Sequence, residues 1–217
     1  MNANPNTNSL FLFATPVLTT FVEGADDLNA RLKTLIYAKE AHSKGVRYSN
    51  YGGWQSLDDM MIWAPNESAL LLQTAIANIT PYTTDIHPAG KRDFEFDANM
   101  WANINRKGDA NNAHTHPGCL WSCVYYVDDG NDGNDGTTDT GGELTMEDPR
   151  FPMNTMYIPS LVTRGPDGEP QQPQYKIKPQ SGMLVMFPSW LRHSVRPYLG
   201  ENDRISVAFN LMVNVVN

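Results

Sequence analysis

Two histidines separated by a single residue, His114 and His116, form the most chemically suggestive motif of the chain. Pro117 biases His116 away from helical backbone, because a proline ring disfavours the α conformation of the residue before it. In an extended strand, side chains two positions apart project from the same face. The two imidazoles are therefore expected to point at one object, and a metal ion is what histidine pairs most often serve.

A third histidine and an arginine in the C-terminal part of the chain extend this motif into a candidate site. His193 precedes a predicted strand in which Arg204 and Ser206 share one face with small or polar residues. The other face of that strand is wholly apolar. We therefore expect the strand to line a cavity on one side and to pack against helices on the other.

The chemistry that these residues can support is metal-dependent oxidation. Three histidines can hold Fe(II) and leave positions open, although the usual oxygenase set has two histidines and one carboxylate. The guanidinium of Arg204 presents a planar fork to a carboxylate, and Ser206 adds a hydroxyl to it. A dicarboxylate can chelate iron with one end and pair with Arg204 at the other, which is the geometry of 2-oxoglutarate.

The elements that must position these residues change character along the chain. Two helices, from about Asp26 to Ser43 and from Asn66 to Ala77, are predicted in the first 80 residues, after a strand candidate at 10–18. Period-two patterns begin near residue 94, with strands predicted at 100–105, 119–127, 141–146, 182–187, 193–195 and 204–213. This order indicates an α+β, mainly β fold: a double-stranded β-helix (jelly-roll) barrel with the N-terminal helices packed on one sheet.

The length of 217 residues favours one domain over two. Residues 1–90 would form the N-terminal strand and the supporting helices, and residues 91–217 the double-stranded β-helix core. Two loops are expected in that core, at 128–142 and 150–180. The second contains six prolines and cannot be regular core.

Composition excludes several classes of partner. A net charge of −8 argues against nucleic acid, because phosphate binding needs clustered lysines and arginines. The chain has no apolar run long enough for a membrane span and no secretion signal at its start. Cys119 and Cys123 would lie about 13 Å apart in one strand, too far for a disulfide. Reduced thiols and a cytoplasmic location are the simpler interpretation.

Several segments, in order, resemble the Fe(II)/2-oxoglutarate-dependent oxygenases, specifically the group close to prolyl-hydroxylase-like enzymes. The matching segments are His114–Gly118, Ser122–Val127, Gly141–Leu144, Asp148–Arg150, Gly182–Phe187, His193–Pro197 and Arg204–Ser206, with Asn50–Ser56 in the N-terminal half. Each segment is modest alone, whereas the ordered set is fairly specific. The resemblance implies a dioxygenase that uses Fe(II), 2-oxoglutarate and O2, hydroxylates a substrate, and releases succinate and carbon dioxide.

The resemblance also implies roles for individual residues. His114 would be the proximal and His193 the distal iron ligand, and Arg204 would anchor the far carboxylate of 2-oxoglutarate. Tyr126 would reach the co-substrate, with Tyr125 as the alternative. The motif departs from the family's usual His-x-Asp, because His116 stands at the acid position and leaves the iron site one charge more positive.

Three histidines remain the favoured ligand set, and an acid such as Asp109 or Glu143 approaching the iron from elsewhere is the alternative. Asn103 and Asn105 on the cavity face are candidates for substrate contact, and Trp190 and the 150–180 loop for substrate selection. The expected substrate is a small molecule or a peptidyl side chain. The sequence leaves the oligomeric state open, a homodimer included.

A cupin is the strongest rival interpretation. Gly108, five further residues and the two histidines fit the opening of the first cupin motif. The glutamate expected a few residues later is missing, however, and Arg204 would have no role in a cupin. A non-enzymatic jelly-roll interaction protein with incidental histidines is the third interpretation.

Overall fold

Two antiparallel sheets that face each other form the body of the protein. The structure is a computed structural model and describes residues 12–88, 90, 93–131, 139–150, 158 and 160–216. The larger sheet has the strand order β1-β9-β6-β11-β4-β3 and the smaller sheet the order β2-β5-β10-β7-β8. All neighbouring strands pair antiparallel. No strand of the described residues belongs to both sheets, so the predicted jelly roll is confirmed as two opposed sheets rather than a closed barrel.

The strands of the two sheets alternate along much of the chain. The larger sheet consists of β1 (Leu18–Phe21), β3 (Trp54–Gln55), β4 (Asp93–Asn105), β6 (Trp121–Asp128), β9 (Met183–Pro188) and β11 (Arg204–Val216). The smaller sheet consists of β2 (Asn50–Tyr51), β5 (Ala110–His114), β7 (Leu144–Glu147), β8 (Gln174–Ile177) and β10 (His193–Val195). Consecutive strands such as β9 and β10 therefore lie on opposite sides of the interior.

The helices cover the outer face of the larger sheet, as the sequence predicts. They are α1 (Ala25–Ala41), the short α2 (Met60–Trp63) and α3 (Pro65–Ile79), which a 3-10 turn follows. Leu28, Leu32 and Ile36 recur at helical spacing on α1 and are at most 1% exposed. Burying each such side chain contributes about 1.5–3 kcal/mol. This layer fixes the larger sheet from outside and leaves its inner face free.

Strand β11 divides its side chains between the two layers in the predicted way. The apolar set packs in the core beneath the helices and consists of Ile205, Val207, Phe209 and Leu211. The alternate set lines the space between the sheets and consists of Arg204, Ser206, Ala208 and Asn210. Because the strand is 13 residues long and lies between β6 and β4, it sets the register of the larger sheet.

Two sequence-based expectations differ from the structure. The strand candidate at 10–18 is displaced: β1 begins at Leu18, after Pro16, and residues up to 11 lie outside the described part. The 150–180 segment contains a regular strand, β8, which pairs only with β7 at the edge of the smaller sheet. Its four residues lie between Pro173 and Pro179 and include no proline, so their N–H groups can join the ladder. Residues 151–157 and 159 of that segment, and 132–138 of the 128–142 loop, lie outside the described residues.

Two further observations concern the thiols and the helices. Cys119 and Cys123 are both free, as their spacing predicts. Burial raises the pKa of both thiols, and Cys123 packs among the core residues beneath the helices. Within the part of the chain that the structure describes, no helix is both long and apolar enough to cross a membrane.

Candidate metal centre and co-substrate pocket

The three predicted histidines converge on one point between the sheets. His114 ends β5 directly opposite His193 on β10. His116 follows β5, and its backbone N–H donates to the carbonyl of Ser189 at 3.0 Å. The candidate ligand atoms of the three side chains all lie within 4.8 Å of one another. The arrangement is a group of three imidazoles of the kind that holds a metal ion.

Two of the imidazoles are fixed in the tautomer that metal binding needs. Nδ1 of His114 lies 2.7 Å from the carbonyl of Asn112, and Nδ1 of His193 lies 2.9 Å from that of Leu191. A carbonyl can only accept, so each Nδ1 carries the proton and each Nε2 keeps its lone pair. Such second contacts orient histidine ligands and select the nitrogen that binds the metal.

His116 has a different kind of partner. Its Nδ1 lies 3.3 Å from Nδ2 of Asn210 on β11. The other end of that amide, Oδ1, accepts a hydrogen bond from Ser122 at 2.8 Å, and Ser122 lies 2.9 Å from the hydroxyl of Ser189. The ring of Trp101 lies beside His116, with centroids 6.0 Å apart. His116 therefore contacts the larger sheet through the side-chain amide of Asn210, which can present either a donor or an acceptor.

The environment keeps the three histidines neutral at neutral pH. Burial lowers the pKa of each of them, to about 4 for His116 and about 3 for His193. The neighbouring imidazoles disfavour protonation of these two further. Each neutral imidazole has one nitrogen with a lone pair, so the group can bind a cation without a net release of protons.

Arg204 is buried at one end of the cavity without an acidic partner. Its Nη1 donates to Oδ1 of Asn105 at 3.0 Å, its guanidinium lies 5.2 Å from the ring centre of Tyr126, and its Nε has no hydrogen-bond partner among the described residues. Among the described residues it forms no ion pair, and burial lowers its pKa. A buried cation without a counter-charge is costly, so the site is suited to a ligand carboxylate.

The backbone of Gly142 packs against the side chain of Arg204. Gly142 has φ +74°, and a Cβ at this position would lie 3.1 Å from Cδ and 3.2 Å from Nε of Arg204. The absence of a side chain lets the backbone approach the arginine stem closely. Gly142, which lies in the Gly141–Leu144 segment of the sequence, therefore helps to position Arg204.

Between the arginine and the histidines lies a cavity of about 610 Å³. Ser206 and Ala208, which follow Arg204 on the same face of β11, are small and leave this space open. Leu144, Phe187 and Val195 supply apolar wall. Three neutral nitrogen donors at one end and an unpaired guanidinium at the other fit Fe(II) with a dicarboxylate.

The remaining predicted residues divide between those near the cavity and those away from it. Asn103 lines it, whereas Asn105 is 3% exposed and acts as the hydrogen-bond acceptor of Arg204. Tyr126 lies against Arg204, with the guanidinium 5.2 Å from the centre of its ring. Burial raises the pKa of Tyr126, and the guanidinium of Arg204 opposes that effect.

Two predicted residues lie elsewhere. Tyr125 is on the opposite face of β6, where its hydroxyl donates to Asn29 of α1 at 2.6 Å, so its position gives no support to the alternative role at the co-substrate. Trp190 is 55% exposed and is not among the residues that line the cavity.

The two acids considered as alternative ligands do not reach the histidines. Oδ2 of Asp109 accepts the backbone N–H of Arg106 at 2.6 Å, beyond the end of β4. Glu143 lies 3.3 Å from the guanidinium of Arg196. Over the described ranges, the metal-binding group contains no carboxylate.

Sequence reasoning missed several residues of the cavity wall. Asn99 continues the alternation of β4 in which Trp101, Asn103 and Asn105 share one face, so extending the pattern towards the N-terminus would have found it. Oδ1 of Asn99 is buried and has no hydrogen-bond partner within the described part of the chain. Tyr48 and Ser49 precede β2 and reach the cavity through tertiary packing, for which the sequence gives no signal.

Comparison with known proteins adds a family and a set of similar folds. The profile of one family, described as "Putative 2OG-Fe(II) oxygenase", matches residues 99–210, more than half of the chain. The matched range contains all three histidines and Arg204. A comparison with curated proteins finds no match.

Several solved structures share the fold at low sequence identity. A Pseudomonas putida prolyl-4-hydroxylase is 16% identical, with a TM-score of 0.53 over 90% of this chain and 91% of that one. A Trichoplax adhaerens prolyl hydroxylase, in complex with a hypoxia inducible factor peptide fragment, is 12% identical, with a TM-score of 0.59 over 90% and 83%. HygX from Streptomyces hygroscopicus, with nickel and 2-oxoglutarate bound, is 12% identical, with a TM-score of 0.60 over 91% and 83%.

Proposed function

Because this chain belongs to the 2OG-Fe(II) oxygenase family, we propose that it hydroxylates an amino-acid or peptidyl side chain, with release of succinate and carbon dioxide. The family makes it an oxidoreductase whose cofactors are Fe(II) and 2-oxoglutarate, with O2 as oxidant. The hydroxylation, its substrate and the roles of individual residues are the proposal.

The observation that carries the proposal is the pairing of an unpartnered buried cation with three neutral imidazoles across one cavity. Arg204 would bind the far carboxylate of 2-oxoglutarate, with Ser206 beside it, since no side-chain carboxylate of the described residues meets this guanidinium. His114, His116 and His193 would hold the iron. A charge-assisted bidentate contact to Arg204 would orient the co-substrate and relieve the unsatisfied Nε.

When bound, Fe(II) and 2-oxoglutarate supply the oxidising chemistry: one oxygen atom of O2 enters succinate and the other enters a C–H bond of the substrate. The protein would bind the iron, orient the co-substrate and the substrate, and shelter the reacting atoms from water. The apolar walls at Leu144, Phe187 and Val195 would limit water near the reacting atoms. Tyr126 would restrict the guanidinium of Arg204 to one orientation by packing its ring against it.

The substrate is proposed to enter over Trp101 and Asn103, which line the same cavity from β4, next to β11. Trp101 offers a flat apolar surface, and the amide of Asn103 offers both a donor and an acceptor. The peptide complex of the Trichoplax prolyl hydroxylase supports a peptidyl substrate. A role of Trp190 in substrate selection stays a prediction.

The rival interpretations explain less of the site. A cupin requires metal ligands but gives no reason for a buried arginine without an acidic partner. A non-enzymatic jelly roll gives no reason for one buried and two half-buried neutral imidazoles whose candidate ligand atoms lie within 4.8 Å of one another.

Succinate formation tests the proposal directly. The purified protein is incubated with Fe(II), 2-oxoglutarate and O2, first alone and then with short peptides that differ only in a central residue. We expect slow succinate release without peptide and faster, stoichiometrically coupled release with a substrate. Absence of succinate above the iron-free control, in protein that binds Fe(II) anaerobically, would contradict the proposed activity.

A further inference from the structure

We propose that Asn210 is a positioning residue that decides whether His116 acts as an iron ligand or as a hydrogen-bond donor. The inference rests on the proposed function, because it assumes that iron is the ion that the three histidines hold. It concerns His116, the residue that stands at the position of the family's usual aspartate. The proposal follows from four buried or half-buried polar groups in a row: His116, Asn210, Ser122 and Ser189.

In the arrangement that the structure shows, His116 is not ready to bind a metal. Its Nδ1 faces Nδ2 of Asn210 at 3.3 Å, and an amide nitrogen can only donate. Nδ1 therefore accepts, and the single proton of the neutral ring resides on Nε2. This Nε2–H has no lone pair for a metal and can instead donate a hydrogen bond.

A half-turn of the Asn210 amide produces the opposite state. Oδ1 then faces His116 and can only accept, so Nδ1 must carry the proton and Nε2 gains the lone pair that binds metal. The ring is neutral in both states. The change moves a proton from one nitrogen to the other and needs no net gain or loss of protons.

The two serines allow both ends of the Asn210 amide to keep a hydrogen-bonding partner in both states. Ser122 now donates to Oδ1 of Asn210 at 2.8 Å and can accept from the hydroxyl of Ser189 at 2.9 Å. After the amide turns, Ser122 would accept from Nδ2 and donate to Ser189. A hydroxyl can do either, so the row reverses its direction as a unit. The amide of Asn210 thus has no unpaired buried group in either state; such a group would cost about 1–3 kcal/mol.

The other two histidines have no such freedom. Their Nδ1 partners are the backbone carbonyls of Asn112 and Leu191, which accept only. His114 and His193 thus present Nε2 to the metal in every state. The geometry makes His116 a conditional third ligand, whereas the usual aspartate would offer an oxygen lone pair to the metal in every state.

The tautomer of His116 can be read without turnover. In uniformly 15N-labelled protein, long-range 1H–15N correlation spectra identify the protonated ring nitrogen of each histidine. We expect His116 to be protonated on Nε2 in the metal-free protein and on Nδ1 after loading with Zn(II), a diamagnetic probe. An Nδ1–H tautomer of His116 already in the metal-free protein would overturn the proposal.

Two variants distinguish the effect of the hydrogen bond between residue 210 and His116 from the effect of an added negative charge in the cavity. In Asn210→Asp the partner of His116 is an acceptor only, so the metal-free protein should already have Nδ1–H and bind Fe(II) about tenfold more tightly in anaerobic titration. Asn99→Asp is the matched control, because Asn99 is the register partner of Asn210 on β4, lines the same cavity and adds the same charge. It should leave the tautomer of His116 unchanged.

A double variant excludes direct binding of iron by the new carboxylate. In the His116→Ala background, Asn210→Asp should leave Fe(II) affinity within about twofold, because the hydrogen-bonding partner is gone. Tightening equal to that in the wild-type background would refute the positioning role. Failure of the wild-type protein to bind Fe(II) at all would instead remove the proposed function, since the Zn(II) spectra test Asn210 separately.

Discussion

His114 and His193 are register partners across β5 and β10, and their rings lie 4.4 Å apart. The backbone ladder of the smaller sheet therefore fixes the distance between two candidate iron ligands. Each ring is further held by a backbone carbonyl two residues before it in the chain. Main-chain pairing and main-chain hydrogen bonds thus set the spacing and orientation of these two candidate ligands.

Removal of either of these histidines should abolish iron retention. We expect His193→Ala to weaken Fe(II) binding at least about 100-fold in anaerobic titration, because even loss of an outer partner of a ligand costs about 10–100-fold. His42→Ala is the control, since His42 is exposed at the end of α1. Full iron occupancy in His193→Ala would remove His193 from the site.

Replacement of Arg204 should separate co-substrate binding from iron binding. In Arg204→Gln we expect the KM for 2-oxoglutarate to rise by about 30-fold or more, since truncating one partner of a buried charge pair costs about 2–5 kcal/mol. Fe(II) affinity without 2-oxoglutarate should change less than about threefold. Comparable losses of both affinities would argue that Arg204 supports the fold and not the co-substrate.

Arg204 should also reduce the stability of the ligand-free protein. The guanidinium is buried without an ion pair among the described residues, so Arg204→Met should raise the free energy of unfolding by about 1–4 kcal/mol. Addition of 2-oxoglutarate to the Fe(II)-loaded protein should stabilise the wild type further and the variant little, because Fe(II) itself stabilises both. Thermal unfolding with and without both ligands measures this, and a less stable ligand-free variant would contradict it.

Gly142 should affect 2-oxoglutarate through Arg204. In Gly142→Ala the new Cβ meets Arg204 at 3.1 Å, and φ +74° is unfavourable for alanine, so we expect about 1–3 kcal/mol of destabilisation with a raised KM for 2-oxoglutarate. Gly168→Ala isolates the backbone effect, because Gly168 has φ +83° and a Cβ added there would meet no atom within 4 Å. It should destabilise the fold without changing KM.

Acid should destabilise the metal-free protein in a defined pH range. The unfolded chain protonates its histidines near pH 6.5, whereas the folded protein holds the pKa of His116 at about 4 and that of His193 at about 3. Stability is therefore fully present above pH 6.5 and is lost as the pH falls towards these values. For His193 the loss between pH 7 and pH 5 should be about 2 kcal/mol. Denaturant unfolding should show a flatter pH profile for His193→Gln, and an unchanged slope would contradict the assignment.

The alternation of β11 and the spacing of the histidine pair were enough to predict much of the fold and the candidate site. The choice between Tyr125 and Tyr126 depended on one residue of register. Strand β6 is covered on both faces, so its sequence lacks the polar-apolar alternation that would show which tyrosine faces inwards. The register with β11 also shifts near Ser206, which no local pattern indicates.

The contact of Asn210 with His116 was beyond sequence reasoning for a different reason. It joins residues 94 positions apart, on elements that belong to opposite sides of the interior. Asn210 was predicted to face the cavity, but its neighbour there is set by how the sheets pack. Tyr48 and Ser49, which directly precede β2, line the same cavity, and no sequence pattern indicated that position either.

The late position of β11 in the chain has a consequence for biosynthesis. The histidine pair leaves the ribosome long before Arg204 and Asn210, and β11 must insert between β6 and β4 to complete the larger sheet. Contacts of such long sequence separation form slowly and late in folding. A nascent chain can therefore expose the two histidines to any available divalent cation before Arg204 and the rest of the co-substrate pocket have formed. Delivery of the correct ion would have to follow the docking of the last strand.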